Sequence, residues 1–135
     1  MISTKGRYAL RVMVDLIQHQ EEGYVPLREI ANRQEISEKY LEIILKLLVK
    51  GNILQGLRGK GGGYMLIRKP EEYTVGEIIE ITEGSLAPVA CLEPNAKNCP
   101  RKGTCTTLPL WKKYNAFTHD FFYNITLDDL INGRF

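Results

Sequence analysis

The sequence predicts a mostly α-helical fold with a small β-wing, a winged helix-turn-helix followed by a long C-terminal helix. Three observations predict it. Two amphipathic helical patterns, opening near Pro26 and at Ser37, are separated by a short polar break. A glycine-rich basic segment flanked by short apolar runs follows them at once. A late stretch then carries aromatic residues at helical spacing.

The elements follow in order. Ser3 is placed to cap a first helix, in which Ala9, Val12, Met13, Leu16 and Ile17 form a buried stripe, and Gly23 ends it. A second helix opens near Pro26, with Leu27, Ile30 and Ala31 inward, and breaks at Arg33-Gln34-Glu35. Ser37 caps a third, with Leu41, Ile44, Leu45 and Leu48 inward, and Gly51-Asn52 stops it. Ile53-Leu54 and Tyr64-Met65-Leu66-Ile67 read as strands joined by a glycine-rich tip, and Lys69-Pro70 closes the unit. Thr74-Val75-Gly76-Glu77 reads as a capping box opening a helix with Val75, Ile78 and Ile79 inward, ended by Gly84. Residues 85–104 hold three prolines and two of the three cysteines, so they read as a loop. A long helix starts near Pro109, with Leu110, Tyr114, Phe117 and Phe121 in a stripe broadened by Trp111 and Phe122. Thr126 caps a last short helix. The expected organisation is a winged helix-turn-helix over residues 1–70, a linking helix and cysteine loop over 71–104, and the long helix with its tail over 105–135.

At 44% hydrophobic and 25% charged residues, the composition is that of an ordinary globular chain. No apolar run approaches the roughly 20 residues that span a bilayer, and no secretory leader opens the sequence. The expected compartment is the cytoplasm, where disulfides are disfavoured, so three cysteines read as a metal or redox feature. The net charge of +2 is unevenly spread: residues 1–70 carry 12 Lys and Arg against 7 Asp and Glu, and residues 71–135 carry 6 against 9. A basic front half suits contact with phosphate. No Ser/His/Asp signature or paired-carboxylate motif is present, and the only histidines are His19 and His119, which argues against an enzyme.

A recognition helix lies in the major groove and reads bases from its first turns. Ser37, Glu38, Lys39, Tyr40 and Glu42 occupy those turns, and Lys39, Glu42, Lys46 and Lys50 form a polar stripe opposite the core face. Glu42 can accept from a cytosine amino group and Lys39 can reach phosphate or guanine; the bland reading is that Glu42 and Lys46 are a surface i, i+4 pair. Arg58 and Lys60 among the wing glycines suit a minor groove or a phosphate. A nucleotide-binding loop would need Gly-Lys-Ser/Thr running into a helix, whereas Lys60 is followed by three glycines and a strand.

Cys91, Cys99 and Cys105 form C-x7-C-x5-C on a loop before a helix. Three thiolates so placed suit a soft metal or an iron–sulfur cluster. Zinc stays open, although the Cys-x-x-Cys pairs of structural zinc sites are absent; three independent reduced thiols are the bland reading.

Several ordered motifs resemble the bacterial IscR/NsrR/CymR transcription regulators. They are Ser3-Thr4-Lys5-Gly6-Arg7-Tyr8-Ala9-Leu10, Pro26-Leu27-Arg28-Glu29-Ile30-Ala31, Ile36-Ser37 with Tyr40-Leu41-Glu42, and the wing Arg58-Gly59 with Gly61-Gly62-Gly63-Tyr64. Thr74-Val75-Gly76-Glu77-Ile78-Ile79 and Ile125-Thr126-Leu127-Asp128-Asp129-Leu130 extend the likeness over essentially the whole chain. The resemblance implies a homodimer, paired through the long C-terminal helix, that binds a pseudo-palindromic operator in double-stranded DNA; repression is the expected direction of control. It makes Ser37, Tyr40, Glu42 and Arg58 the leading DNA contacts, and Trp111, Tyr114, Phe117 and Phe121 the dimer interface. The IscR and NsrR branches imply an iron–sulfur cluster, 2Fe–2S or 4Fe–4S, on the three cysteines; the CymR branch implies a cluster-free regulator of thiol or cysteine metabolism. The histidine that the IscR branch places three residues after its third cysteine is Leu108 here, and the acidic residue of the NsrR branch aligns with Arg7, beside Tyr8. Asp15, His19 and Glu93 stay open as fourth ligands. A small electron carrier would usually want four cysteine ligands and would leave the recognition helix and wing unexplained.

Overall fold

The computed structural model describes residues 1–19, 21 and 23–135. Helix α1 (Thr4–Gln18), α2 (Leu27–Gln34) and α3 (Glu38–Lys50) are followed by strands β1 (Leu54–Leu57) and β2 (Gly63–Leu66), then α4 (Val75–Glu83), α5 (Leu108–Tyr123) and α6 (Leu127–Asn132). The strands pair antiparallel, Leu54 opposite Leu66 and Leu57 opposite Gly63. This is the winged helix-turn-helix with a long C-terminal helix that the sequence predicts.

The inward stripes pack as their spacing requires. Ala9, Val12 and Met13 on α1, Leu41, Ile44, Leu45 and Leu48 on α3, and Ile78 on α4 are all 0% exposed. The buried cluster also takes in Tyr73, Val75, Ile125 and Leu127, so the segments before and after residue 70 share one core. α6 closes that core from the chain's end. Its N-cap Thr126 accepts from the Asp129 N–H while the Asp129 carboxylate accepts from the Thr126 N–H, a reciprocal capping box.

Three caps differ from expectation. Ser3 occupies the α1 N-cap position, but its hydroxyl donates to the Glu83 carboxylate at 2.7 Å instead of accepting from its own helix. α1 ends at Gln18, well before Gly23. Thr74 caps α4 by accepting from the Glu77 N–H, but the Glu77 side chain does not reach back; it pairs with Arg68 at 2.9 Å, so the box is half made.

Tyr73 joins the wing to the helices. Its ring is fully buried, and its hydroxyl donates to the Ile53 carbonyl at 2.8 Å while accepting from the N–H groups of Ile67 and Arg68 at 3.0 and 3.1 Å. The Arg68 guanidinium lies 5.1 Å from the ring centroid. One phenol thereby satisfies backbone groups where the chain enters and leaves the hairpin. The wing's other anchor is a backbone bridge: the Tyr64 and Val25 N–H groups each donate to the other's carbonyl at 2.9 Å. Gly63, at φ +149°, makes this possible, since a Cβ there would stand 2.1 Å from the Val25 carbonyl oxygen.

Asp15, on α1, is a buried charge, 1% exposed. Arg33 grips it with two nitrogens, Nη2 to Oδ1 at 2.8 Å and Nε to Oδ2 at 3.0 Å, and the Gln34 amide donates at 2.9 Å. Burial pushes this carboxyl up, but the hydrogen bonds from Arg33 and Gln34 and the charges of Arg33 and His19 together hold it below its ordinary value. The pair fixes α2 against α1.

Two outcomes follow. Tyr73→Phe leaves three backbone groups short of a partner and should lower stability by about 2–4 kcal/mol in chemical denaturation. Because the folded Asp15 carboxyl is depressed, its contribution is complete above the unfolded carboxylate value near 4 and is lost as pH falls through the folded one. The stability difference between wild type and Asp15→Asn should therefore be large at pH 7 and shrink below about pH 4.

Candidate nucleic-acid interface and cysteine cleft

Ser37 accepts from the Tyr40 N–H at 3.2 Å, capping α3 and presenting its first turn at the surface. Ser37, Glu38, Lys39 and Glu42 are exposed and Tyr40 is half-buried. Glu42 and Lys46 form the i, i+4 pair at 3.0 Å, both well exposed, so the bland reading of that pair is present in the free protein. An exposed pair of this kind holds by only ~0.3–0.5 kcal/mol and yields readily to a stronger partner.

The wing turns back beside α3. Glu42, Lys46, Lys50, Arg58 and Tyr64 line one groove of about 500 Å³ between the recognition helix and the hairpin, which brings three cations onto one surface. Arg58 and Lys60 stand exposed at the tip. Gly62 holds the turn, since a Cβ there would lie 2.2 Å from the Leu57 carbonyl oxygen. Burial, and then the facing Glu42 carboxylate, push the Tyr64 hydroxyl above its ordinary pKa. Two residues of this surface were not singled out by sequence. Tyr64 reads as an ordinary strand residue until the groove is seen. Ile43 is 49% exposed on the outer face of α3; its signal was an apolar residue outside the inward 41-44-45-48 set.

Cys91 and Cys99 are exposed and Cys105 is half-buried. All three line one cleft of about 340 Å³, together with Lys97, Lys102, Leu108 and Lys112. Hydrogen bonds from the Thr107 hydroxyl and the Thr107 and Leu108 N–H groups, at the start of α5, hold the Cys105 thiol below its ordinary value. Three soft donors ringed by three ammonium groups suit an anionic thiolate-ligated group. Among the described residues, no three His, Cys, Asp or Glu side chains converge closely enough to hold a metal ion. None of the open fourth-ligand positions lines the cleft: Asp15 is held by Arg33, His19 bonds the Asp15 carbonyl at 2.8 Å, and Glu93 lines a neighbouring groove with Trp111 and Tyr114. Leu108 does line it.

α5 carries the stripe in two parts. Phe122 packs on the core, and the Tyr123 ring lies against Gly76, where a Cβ would stand 2.3 Å from it. Tyr123 donates to the Glu80 carboxylate; burial, that bond and nearby carboxylate charge push its pKa up to about 12. The opposite side is bare: Leu110, Tyr114, Phe117 and Phe121 are 59%, 55%, 73% and 49% exposed, while Trp111 is half-buried in the adjoining groove. No helix among the described residues is long and apolar enough to cross a membrane.

Comparisons with known proteins agree with this geometry. The HTH-type transcriptional regulator IscR of Pectobacterium atrosepticum is 38% identical over 133 residues, covering 98% of this chain and 80% of that protein. The solved structure of T. potens IscR is 35% identical with a TM-score of 0.75, covering 98% of this chain and 87% of that one. CymR (YrzC), the global cysteine regulator of B. subtilis, is 35% identical with a TM-score of 0.74, covering 96% and 95%. The Pectobacterium protein is named a transcriptional regulator and the B. subtilis protein a regulator, the class expected for this chain in place of an enzyme. Residues 2–133 match the Rrf2 family, described as iron-dependent transcriptional regulators, and this chain belongs to that family.

Proposed function

We propose that the chain acts as a homodimer that reads a pseudo-palindromic operator through α3 and the wing, and that Cys91, Cys99 and Cys105 hold an iron–sulfur cluster governing that binding. The observation carrying the cluster reading is the shared cleft: the three cysteines of the C-x7-C-x5-C segment line one space with Lys97, Lys102 and Lys112. When bound, such a cluster supplies a labile iron centre open to oxygen or nitric oxide. Among the described residues no fourth His, Cys, Asp or Glu lines the cleft, which supports a labile site. Repression is the expected direction of control, and the cytoplasm the expected compartment.

On the DNA side, Ser37, Glu38, Lys39, Tyr40 and Glu42 address the major groove. Glu42 exchanges its Lys46 partner for a base donor, releasing Lys46 toward phosphate. Ile43 adds an apolar surface for a thymine methyl group. Arg58 and Lys60 reach the adjoining minor groove or backbone. The bare Leu110–Tyr114–Phe117–Phe121 face supports pairing of two α5 helices, because contiguous apolar surface of this kind is seldom left in water.

A second reading is favoured by two observations: the thiols do not converge on one point, and the fold matches CymR as well as it matches T. potens IscR. On that reading the cysteines act as redox thiols without a metal, and Cys105, with its lowered thiol, is the most reactive.

Iron and acid-labile sulfide analysis of anaerobically purified protein separates the two. The cluster reading expects a coloured protein, loss of colour on changing any one of the three cysteines to Ala, and different operator affinities for iron-loaded and iron-free forms. Iron-free protein even after reconstitution would hand the site to the thiol reading.

A further inference from the structure

The reading head is held from behind by two residues of α1. The Tyr8 ring stands edge-on to Tyr40, centroids 5.9 Å apart at an interplanar angle of 76°. The Arg11 guanidinium covers Tyr8 at 4.9 Å from its centroid. Arg11 also reaches the turn of the helix-turn-helix, donating from Nε to the Gln34 side-chain oxygen at 3.2 Å and from Nη2 to the Gln34 carbonyl. Gln34 is the last residue of α2, next to Glu35 in a left-handed conformation at φ 55°. The Gln34 amide is itself fixed on the buried Asp15.

We propose that Tyr8 and Arg11 are positioning residues for sequence reading: they set the direction in which Tyr40 leaves the first turn of α3 and the angle of the turn that carries α3. The inference rests on the reading that α3 addresses the operator. Tyr40 sits on the N-terminal turn that meets bases, and a long aromatic side chain there can sweep over several ångströms between rotamers. Its backbone N–H is tied to Ser37, and on the α1 side its ring meets the ring of Tyr8. An edge-to-face pair prefers a narrow range of geometry, so it selects a rotamer where a smooth aliphatic neighbour would not. Arg11 serves both ends, as a lid over the Tyr8 ring and as a clamp on the turn carbonyl. It is exposed, as expected of a residue tuning a surface and not building the core. Neither residue needs to touch DNA for this role.

The test uses the full chain and an operator selected from random duplexes, with an unrelated duplex of equal length as the non-specific reference. Tyr8→Leu and Arg11→Ala should each lower operator affinity about tenfold while leaving affinity for the unrelated duplex unchanged, because only the base-reading part of binding is disturbed. Tyr8→Phe, which keeps the ring, should match wild type. On a Tyr40→Ala background, Tyr8→Leu should have almost no further effect, since its target is gone. The inference is overturned if Tyr8→Leu and Arg11→Ala keep full discrimination, if Tyr8→Leu is fully additive with Tyr40→Ala, or if Tyr8→Phe is as damaging as Tyr8→Leu, which would mean that the hydroxyl binds DNA itself. If Tyr8→Leu does not fold, the exposed Arg11→Ala decides the question: a tenfold loss for the operator alone supports the inference, and unchanged discrimination between the two duplexes overturns it. Wild-type protein that selects no sequence at all would sink the operator reading; wild-type selectivity retained in these variants sinks this inference alone.

Discussion

The buried hydroxyl of Tyr73 is the contact on which the arrangement depends. A two-stranded hairpin is marginal on its own in water, and a wing with five glycines between residues 56 and 63 has little side-chain packing to offer. Tyr73 ties both ends of the hairpin to one rigid point, and Arg68, stacked on its ring and paired with Glu77, ties that point to α4. With Gly63 against Val25 on the other side, the strands are held and the turn presents Arg58 and Lys60 at the surface.

α1 is the other organising element. Its buried stripe is the floor of the core, Asp15 fixes α2 through Arg33, and Tyr8 and Arg11 stand behind the first turn of α3. Its first turn is anchored by Glu83 at the end of α4, whose carboxylate accepts from the Ser3 N–H at 2.8 Å and from its hydroxyl, and lies 2.4 Å from where a Gly6 Cβ would stand, so a side chain there would displace it. The cysteine segment begins directly after α4. One helix is thus in contact with the element that leads into the cysteine cleft at one end and with the reading head along its side.

Much of this was legible in the sequence, because each helix announces itself by periodicity and by a local cap. Ser37, Thr74 and Thr126 make the caps their positions imply, and the inward residues of α1, α3 and α4 are the buried ones. What was not legible arises between elements distant in the chain. Ser3 reads as a local cap, but a carboxylate 80 residues away competes for its hydroxyl. Glu77 has the spacing of a capping box, but an arginine outbids its own backbone. Tyr73 resembles any aromatic residue before a helix, and its three backbone partners are visible only once the hairpin is folded. The cysteine spacing names the donors without their geometry, because a loop with three prolines and no periodicity carries no rule for where its side chains meet. The bare stripe of α5 was readable as a stripe, and the structure adds which side of it is covered by the chain's own core.

The central claim is that two copies, joined through α5, set two reading heads on one duplex. Hydroxyl-radical footprinting of the protein on its selected operator tests this most directly. Two protected patches on the same face of the duplex, their centres about one helical turn of ~10 base pairs or a whole multiple of it apart, are the result the account predicts. A single protected patch the size of one half-site, or two patches on opposite faces, would contradict it.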